Sequence, residues 1–219
     1  MPAIVVAQPA PGTNAPARPR MRENVPANPA LPSLFLIGDS TVRNGTGEGG
    51  GGQWGWGDVL APLFDTNKIN VVNRALGGTS SRTYYRDQWA RVLAMLKPGD
   101  FVLLQFGHND GSALNDASRA RGTIKGVGDE SESFTNLITK KFETVHSFGW
   151  YEKQFIIEAR SKGATPMVCS LIPRNSWRDG KAARKSRTVY VEPGVTGVAD
   201  IHSGFEDDAV ETRSDAAQA

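Results

Sequence analysis

The sequence is poor in cysteine, in long apolar runs and in net charge. Cys169 is the only cysteine, which excludes an internal disulfide, and its place in an apolar segment indicates a core residue without a reactive role. No apolar run approaches the roughly 20 residues that a membrane-spanning helix needs. The 25 basic and 23 acidic residues nearly cancel, so composition suggests neither a nucleic acid nor an anionic membrane as a partner.

Composition divides the 219 residues into three parts. Residues 1–30 are rich in Pro, Ala and Asn and predict a flexible leader, because they offer too little apolar area for a core. Within the leader, residues 4–7 are similar to the end of an export signal, which favours a secreted or periplasmic protein. Residues 31–190 alternate short apolar runs with amphipathic segments and predict one α/β domain. Residues 191–219 lack periodicity and predict an irregular tail, for which a non-native segment is one interpretation.

Four apolar runs predict a parallel sheet. They are Leu34–Ile37, Ile69–Asn73, Phe101–Phe106 and Met167–Leu171. The intervening segments predict helices, one of them over residues 54–64 with Val59, Leu60, Leu63 and Phe64 on its buried face. Another is expected to bury Trp150, Phe155, Ile156 and Ala159 and to end at Gly163. Residues 112–147 are polar and predict a long loop.

Each of the first three runs ends in a polar, glycine-containing turn. These turns are Gly38-Asp39-Ser40-Thr41, Gly77-Gly78-Thr79 and Gly107-His108-Asn109-Asp110. The ends of parallel strands share one edge of the sheet, where open α/β sheets bind their ligands, so we expect the turns to converge. Ser40 is the candidate nucleophile, although each turn by itself is also typical of an ordinary turn. The exposed N–H groups at the second turn can stabilise an oxyanion or cap a helix, and these two interpretations are compatible.

These three turns resemble the first three sequence blocks of the SGNH (GDSL) hydrolases. The longer segments Gly38–Thr41, Gly78–Thr83 and Phe106–Gly111 resemble the rhamnogalacturonan acetylesterase branch of that family. The resemblance covers roughly Leu34 to Tyr190. It implies a flavodoxin-like three-layer α/β/α sandwich and ester hydrolysis without a metal or other cofactor. It also implies that Ser40 is the nucleophile. The implied oxyanion hole consists of the backbone N–H groups of Ser40 and Gly78 and the side-chain amide of Asn109.

The remaining polar and aromatic residues near these turns have more than one interpretation. Asp39 and Asp110 are expected to anchor their turns. His108 either orients its neighbours and contacts substrate or serves as the base, and the resemblance favours the first role. His146 is expected to be a local polar residue. Core packing is favoured over a sugar platform for Trp54 and Trp56, while Arg174, Asn175 and Trp177 are candidates for lining the cleft.

The family pattern ends in an Asp-x-x-His block, and no Asp-x-x-His occurs in this sequence. That histidine is the family's general base and that aspartate orients it. Asp200-Ile201-His202 is one residue too short and makes His202 a poor candidate base. The sequence therefore predicts a C-terminally incomplete domain with weak or no turnover.

Two functional classes remain open at this point. The first is an esterase that removes acetyl groups from a pectic polysaccharide such as rhamnogalacturonan, with an acetylated polysaccharide or a small ester as its substrate. The second is an inactive fragment or a non-enzymatic carbohydrate-binding relative. A lipase or thioesterase ranks lower, because no long apolar loop flanks Ser40 and an aromatic and polar cleft suits sugars better.

Overall fold

The computed structural model of the chain describes residues 24–43, 54–172, 177–178 and 181–182. Its strands are β1 (Ser33–Gly38), β2 (Asn70–Asn73), β3 (Phe101–Gln105), β4 (Ser131–Thr135), β5 (Phe142–His146), β6 (Thr165–Val168), β7 (Trp177–Arg178) and β8 (Lys181–Ala182). Four of them form a parallel sheet in the order β2-β1-β3-β6. The other four form two antiparallel pairs, β4 with β5 and β7 with β8.

The parallel sheet confirms the predicted architecture. In chain order its four strands lie 2-1-3-4, which is the flavodoxin-like arrangement. The fourth strand begins at Thr165, two residues earlier than predicted, and ends at Val168, just before Cys169. It includes Pro166, which a strand tolerates at the edge of a sheet, the position of β6 among the described strands, because a missing N–H there leaves no ladder partner unpaired.

Alternation along β1 gives the sheet two buried faces. Phe35 and Ile37 belong to the larger hydrophobic cluster, which also contains Trp89 and Phe155 from the helical layer. Leu34 and Leu36 belong to a smaller cluster on the opposite face. Since successive side chains of a strand point to opposite sides, the continuous apolar run of β1 is explained by covering on both faces.

The helical layer over the larger cluster comes from two stretches. The first consists of α1 (Ser81–Tyr84), a π-helical segment (Tyr85–Trp89) and α2 (Ala90–Leu93), and the second is α3 (Phe148–Ser161). Ser147 caps α3, because its hydroxyl accepts from the Trp150 N–H. Gly163, with φ of +73°, follows its end as predicted. Within the described ranges, no helix is both long and apolar enough to cross a membrane.

The single helix predicted over residues 54–64 is wrong. The segment forms two short 3₁₀ helices, Trp56–Val59 and Ala61–Leu63. Leu60 and Phe64 pack on the smaller cluster, but Val59 is 52% and Leu63 77% exposed. The backbone at Gly57 lies so close to Val42 that a Cβ there would stand 2.8 Å from the Val42 carbonyl oxygen. This tertiary contact and Pro62, which lacks an N–H, override the helical pattern.

The long loop predicted over residues 112–147 is also only partly correct. It contains the antiparallel hairpin of β4 and β5, in which Ser131 pairs with His146 and Thr135 with Phe142. Most of its side chains are exposed, with Val145 as a buried exception. A hairpin that buries so little of its own surface depends on contacts with the rest of the domain.

Candidate active site

The three predicted turns lie together at one edge of the sheet. At the end of β1, the Gly38 carbonyl oxygen accepts a hydrogen bond from the N–H of Leu76, which follows β2, at 2.9 Å. Beyond the end of β3, the Asn109 Nδ2 donates to the Thr79 carbonyl oxygen at 2.7 Å. The side chain of Asn109 therefore lies beside the Gly78 turn, on the same edge as Ser40.

The first turn presents Ser40 on the surface above a buried carboxylate. Ser40 is exposed, whereas Asp39 is fully buried. Asp39 Oδ1 accepts hydrogen bonds from the Thr41 N–H and the Thr41 hydroxyl, both at 2.8 Å. Gly38 admits no side chain, since a Cβ would lie 2.6 Å from the Gln105 carbonyl oxygen. The geometry matches the predicted anchoring role of Asp39.

The second turn is held by side chains from elsewhere in the chain. Gly78 has φ of +87°, in the left-handed region that favours glycine. Its carbonyl oxygen accepts from Arg121 Nη1 at 2.6 Å, and the next carbonyl, of Thr79, accepts from Asn109. Among the described residues the Gly78 N–H donates no hydrogen bond, so it remains available as a donor.

The third turn supplies an uncharged donor beside a buried acid. A primary amide has two hydrogens, so Asn109 retains a second donor after its bond to Thr79. Asp110 Oδ1 accepts from the N–H and the hydroxyl of Ser81, the first residue of α1. Burial raises the pKa of Asp110 to about 7, the Ser81 hydrogen bonds oppose this shift and the nearby Asp39 charge adds to it. Asp110 anchors the turn to α1, in agreement with the predicted role.

The geometry of His108 favours an orienting role over a basic one. Its Nε2 lies 3.1 Å from the Ile172 carbonyl oxygen, which can only accept a hydrogen bond, so this nitrogen carries a hydrogen. Only Nδ1 can then accept a proton. That atom is buried and lies 4.0 Å from Asp39 Oδ2. His108 therefore faces Asp39 and the Ile172 backbone with both ring nitrogens.

The other predicted site residues divide into three groups. His146 stacks on Trp150 with ring centroids 3.9 Å apart, which fits a local role, and burial lowers the pKa of its imidazole. Trp56 packs on the smaller cluster and donates to Gln105 Oε1 at 2.7 Å, whereas Trp54 is 56% exposed. Arg174, Asn175 and His202 lie outside the described residues.

Sequence reasoning missed a buried ion pair that ties the hairpin to α1. Arg82 is 1% exposed, and its Nε and Nη2 donate to the two carboxylate oxygens of Glu143 at 2.8 and 2.7 Å. Its Nη1 donates to the carbonyl oxygens of Leu114 and Gly122. Burial would raise the pKa of Glu143, but hydrogen bonds from Arg82 and Asn136 and the Arg82 charge outweigh it and lower the pKa to about 2.

Arg121 was missed as well, and a cleft lies close to it. The cleft has a volume of about 590 Å³ and starts at Gly111 and Ser112, directly after the third turn. Its lining also includes Lys125 of the insertion and Glu132 of β4. Across the ranges that the structure describes, no three residues of His, Cys, Asp and Glu form a group that could hold a metal ion.

Comparisons with known proteins match most of the sequence to a family of lipases and acylhydrolases. Residues 36–215 match the GDSL-like Lipase/Acylhydrolase family, an interval that includes all three turns and extends beyond Tyr190. The chain is 34% identical over 149 residues to the rhamnogalacturonan acetylesterase of Emericella nidulans, covering 68% of this chain and 56% of that protein. It is 31% identical over 148 residues to the probable rhamnogalacturonan acetylesterase YesY of Bacillus subtilis, covering 67% and 57%.

Among solved structures, the YxiM protein of Bacillus subtilis is similar at 22% identity with a TM-score of 0.47, covering 70% of this chain and 37% of that one. The chain spans little more than half the length of the two curated relatives described above.

Proposed function

Because the chain belongs to the GDSL-like Lipase/Acylhydrolase family, we propose that it is a serine esterase that removes acetyl groups from a pectic polysaccharide such as rhamnogalacturonan. The observation that carries the proposal is the meeting of the Ser40, Gly78 and Asn109 turns at one sheet edge, joined by the bond from Asn109 to Thr79. The substrate class is supported by the two relatives named as rhamnogalacturonan acetylesterases.

In the proposed reaction, Ser40 Oγ attacks the carbonyl carbon of the acetyl group while its proton passes to a base. The new C–O bond produces a tetrahedral intermediate with a negatively charged oxygen. When the bond to the sugar oxygen breaks, that oxygen takes the proton and the acetyl group stays on Ser40, from which water releases acetate.

Three uncharged donors are assigned to the oxyanion: the N–H groups of Ser40 and Gly78 and the second amide hydrogen of Asn109. Preorganised donors of this kind each lower the barrier by roughly 3–4 kcal/mol. Asn109 suits this role better than Asp110 does, because a carboxylate would repel the developing charge.

The base is the weakest part of this machinery. His108 directs Nε2 to a carbonyl oxygen, and His146 is stacked on Trp150 in the hairpin region. The sequence contains no Asp-x-x-His, and its third histidine is His202. Without an efficient base, an intact oxyanion hole leaves only about 10³–10⁴-fold acceleration over water. We therefore expect weak or no turnover by the 219-residue chain.

The test measures acetate release from p-nitrophenyl acetate and from acetylated rhamnogalacturonan. We expect weak or no release by the unmodified chain. Any release should be abolished by Ser40→Ala and left intact by Ser161→Ala, which changes an exposed serine on α3. Adding a family-like C-terminal segment with Asp-x-x-His is expected to raise the rate, again only when Ser40 is present.

Three results would contradict parts of this proposal. Release that survives Ser40→Ala would remove the nucleophile assignment. Rapid Ser40-dependent release by the unmodified chain would show that a base is already present, and His108→Ala and His202→Ala would identify it. If the extended chain also released no acetate, the esterase function would be wrong, and polysaccharide binding measured by affinity electrophoresis would favour a non-enzymatic carbohydrate-binding protein.

A further inference from the structure

We propose that Arg121 is a positioning residue for the oxyanion hole and that its side chain fixes the Gly78 turn relative to the Asn109 turn. The inference rests on the proposed function, because the Gly78 and Asn109 turns form an oxyanion hole only if the protein is an esterase. The contacts of Arg121 do not depend on that function. Arg121 Nη1 donates to the Gly78 carbonyl oxygen at 2.6 Å. The same side chain donates from Nε to the Ser112 hydroxyl at 3.3 Å.

These two bonds make Arg121 a bridge between the two turns that carry the donors. Ser112 directly follows the third turn and is tied to it, because its N–H donates to the Asn109 carbonyl oxygen at 3.1 Å. One guanidinium therefore contacts the Gly78 turn on one side and a residue bonded to the Asn109 turn on the other. Its planar fork suits two simultaneous bonds better than an ammonium group does.

The backbone of Arg121 is itself fixed to the third turn. The neighbouring Gly122 N–H donates to the Ala113 carbonyl oxygen, and the Thr123 N–H donates to that of Asp110, both at 2.9 Å. Gly122 passes so close to Ser112 that a Cβ would lie 2.0 Å from the Ser112 carbonyl oxygen. The guanidinium therefore extends from a rigid base.

Gly78 itself has few other contacts, although its neighbour Thr79 is bonded to Asn109 and to Leu76. Gly78 is exposed, and among the described residues a Cβ built on it would meet only Arg121 Nη1 within 4 Å, at 3.8 Å. Two adjacent glycines give this turn unusual conformational freedom. Donors of an oxyanion hole must be held to within about 0.5 Å for full effect, so a mobile turn would weaken the Gly78 N–H as a donor.

The kinetic test compares Arg121→Ala and Arg121→Lys with Arg119→Ala, using p-nitrophenyl acetate. Arg119 is exposed, two residues away and of the same charge, which makes it a matched control for loss of a cation. For Arg121→Ala we expect kcat to fall about 10–100-fold, less than the 10²–10³-fold cost of deleting a donor, with KM unchanged within about twofold. Arg121→Lys should recover part of the loss, since an ammonium can still reach the Gly78 oxygen, and Arg119→Ala should retain full activity.

A second measurement needs no turnover and therefore separates this inference from the proposed function. The Thr79 N–H donates to the Leu76 carbonyl oxygen at 3.3 Å and reports on closure of the turn. Its hydrogen exchange should become at least about 10-fold faster in Arg121→Ala than in Arg119→Ala, because local opening controls exchange. Exchange in α3 should be the same in both variants.

Several results would overturn the inference. Equal kcat losses in Arg119→Ala and Arg121→Ala would indicate a charge effect, and a raised KM with unchanged kcat would indicate substrate binding. Unchanged exchange at Thr79 would show that the turn does not need Arg121. If neither the wild-type chain nor the chain extended with Asp-x-x-His had Ser40-dependent activity, the proposed function would fail, and the exchange measurement alone would decide whether Arg121 holds the turn.

Discussion

Replacing Arg82 by Ala should destabilise the protein more than any single surface change. Arg82 is 1% exposed and makes four hydrogen bonds, two to Glu143 and two to carbonyl oxygens of the insertion. It joins the helix after the Gly78 turn to the hairpin. Its removal therefore leaves a carboxylate and two carbonyl groups without their main donor.

The size of the effect follows from what remains around Glu143. Breaking a buried ion pair by removing one partner typically costs about 3–5 kcal/mol. Glu143 keeps Arg86 and Asn136 as partners and has a side chain 14% exposed, so the low end applies to the pair. Each of the two carbonyls left without a donor adds about 1 kcal/mol, so together we expect a loss of about 5 kcal/mol in the free energy of unfolding.

Urea denaturation followed by circular dichroism measures this loss, with Arg86→Ala as the control. Arg86 contacts the same carboxylate one turn later, but its side chain is 34% exposed, so its removal should cost about 0–1 kcal/mol. The double variant Arg82→Met with Glu143→Leu should recover much of the loss, since it leaves no buried charge behind. A loss in Arg82→Ala below about 1 kcal/mol, or equal to that in Arg86→Ala, would refute the reasoning.

Three further predictions concern the turns at the sheet edge. Because burial raises the pKa of Asp110 to about 7, the folded protein keeps a proton that the unfolded chain releases near pH 4. The free energy of unfolding should therefore fall as pH rises from about 4 to about 7. Urea denaturation between about pH 5 and 8 should show a flatter pH dependence for Asp110→Asn. Asn109→Asp places a charge where a donor is expected and should reduce kcat about 10²–10³-fold for p-nitrophenyl acetate with KM nearly unchanged, whereas an unchanged kcat would remove Asn109 from the hole. Gly78→Ala should cost about 1–2 kcal/mol through its positive φ alone, since a Cβ there has room, and a thermal unfolding midpoint equal to that of wild type would contradict this.

The sheet and its turns were predictable because their signals are local. The apolar runs of β1 and β3 are continuous, as strands covered on both faces require, and each is followed at once by its turn. The roles of Asp39 and Asp110 were also readable, because Asp in a turn commonly accepts from nearby backbone groups.

The contacts between distant segments could not be predicted in the same way. Nothing in the spacing of Arg82 and Glu143 joins them, and only the folded hairpin brings them together. The bond from Arg121 to Gly78 likewise depends on how the insertion crosses the third turn. The hairpin itself gave a weak signal, because strands that are exposed on most positions lack apolar alternation.

The strand order also has a consequence for folding of the protein during its synthesis on the ribosome. β1 pairs with β2 and with β3, so all three turns of the candidate site are synthesised before the hairpin, α3 and β6. The side of β3 that faces away from β1 stays unpaired until β6 has been synthesised, since Phe101 and Leu103 pair with Thr165 and Met167. During that interval the nascent chain exposes an unpaired, apolar strand edge. Such an edge is a binding site for chaperones and can pair with another nascent chain nearby.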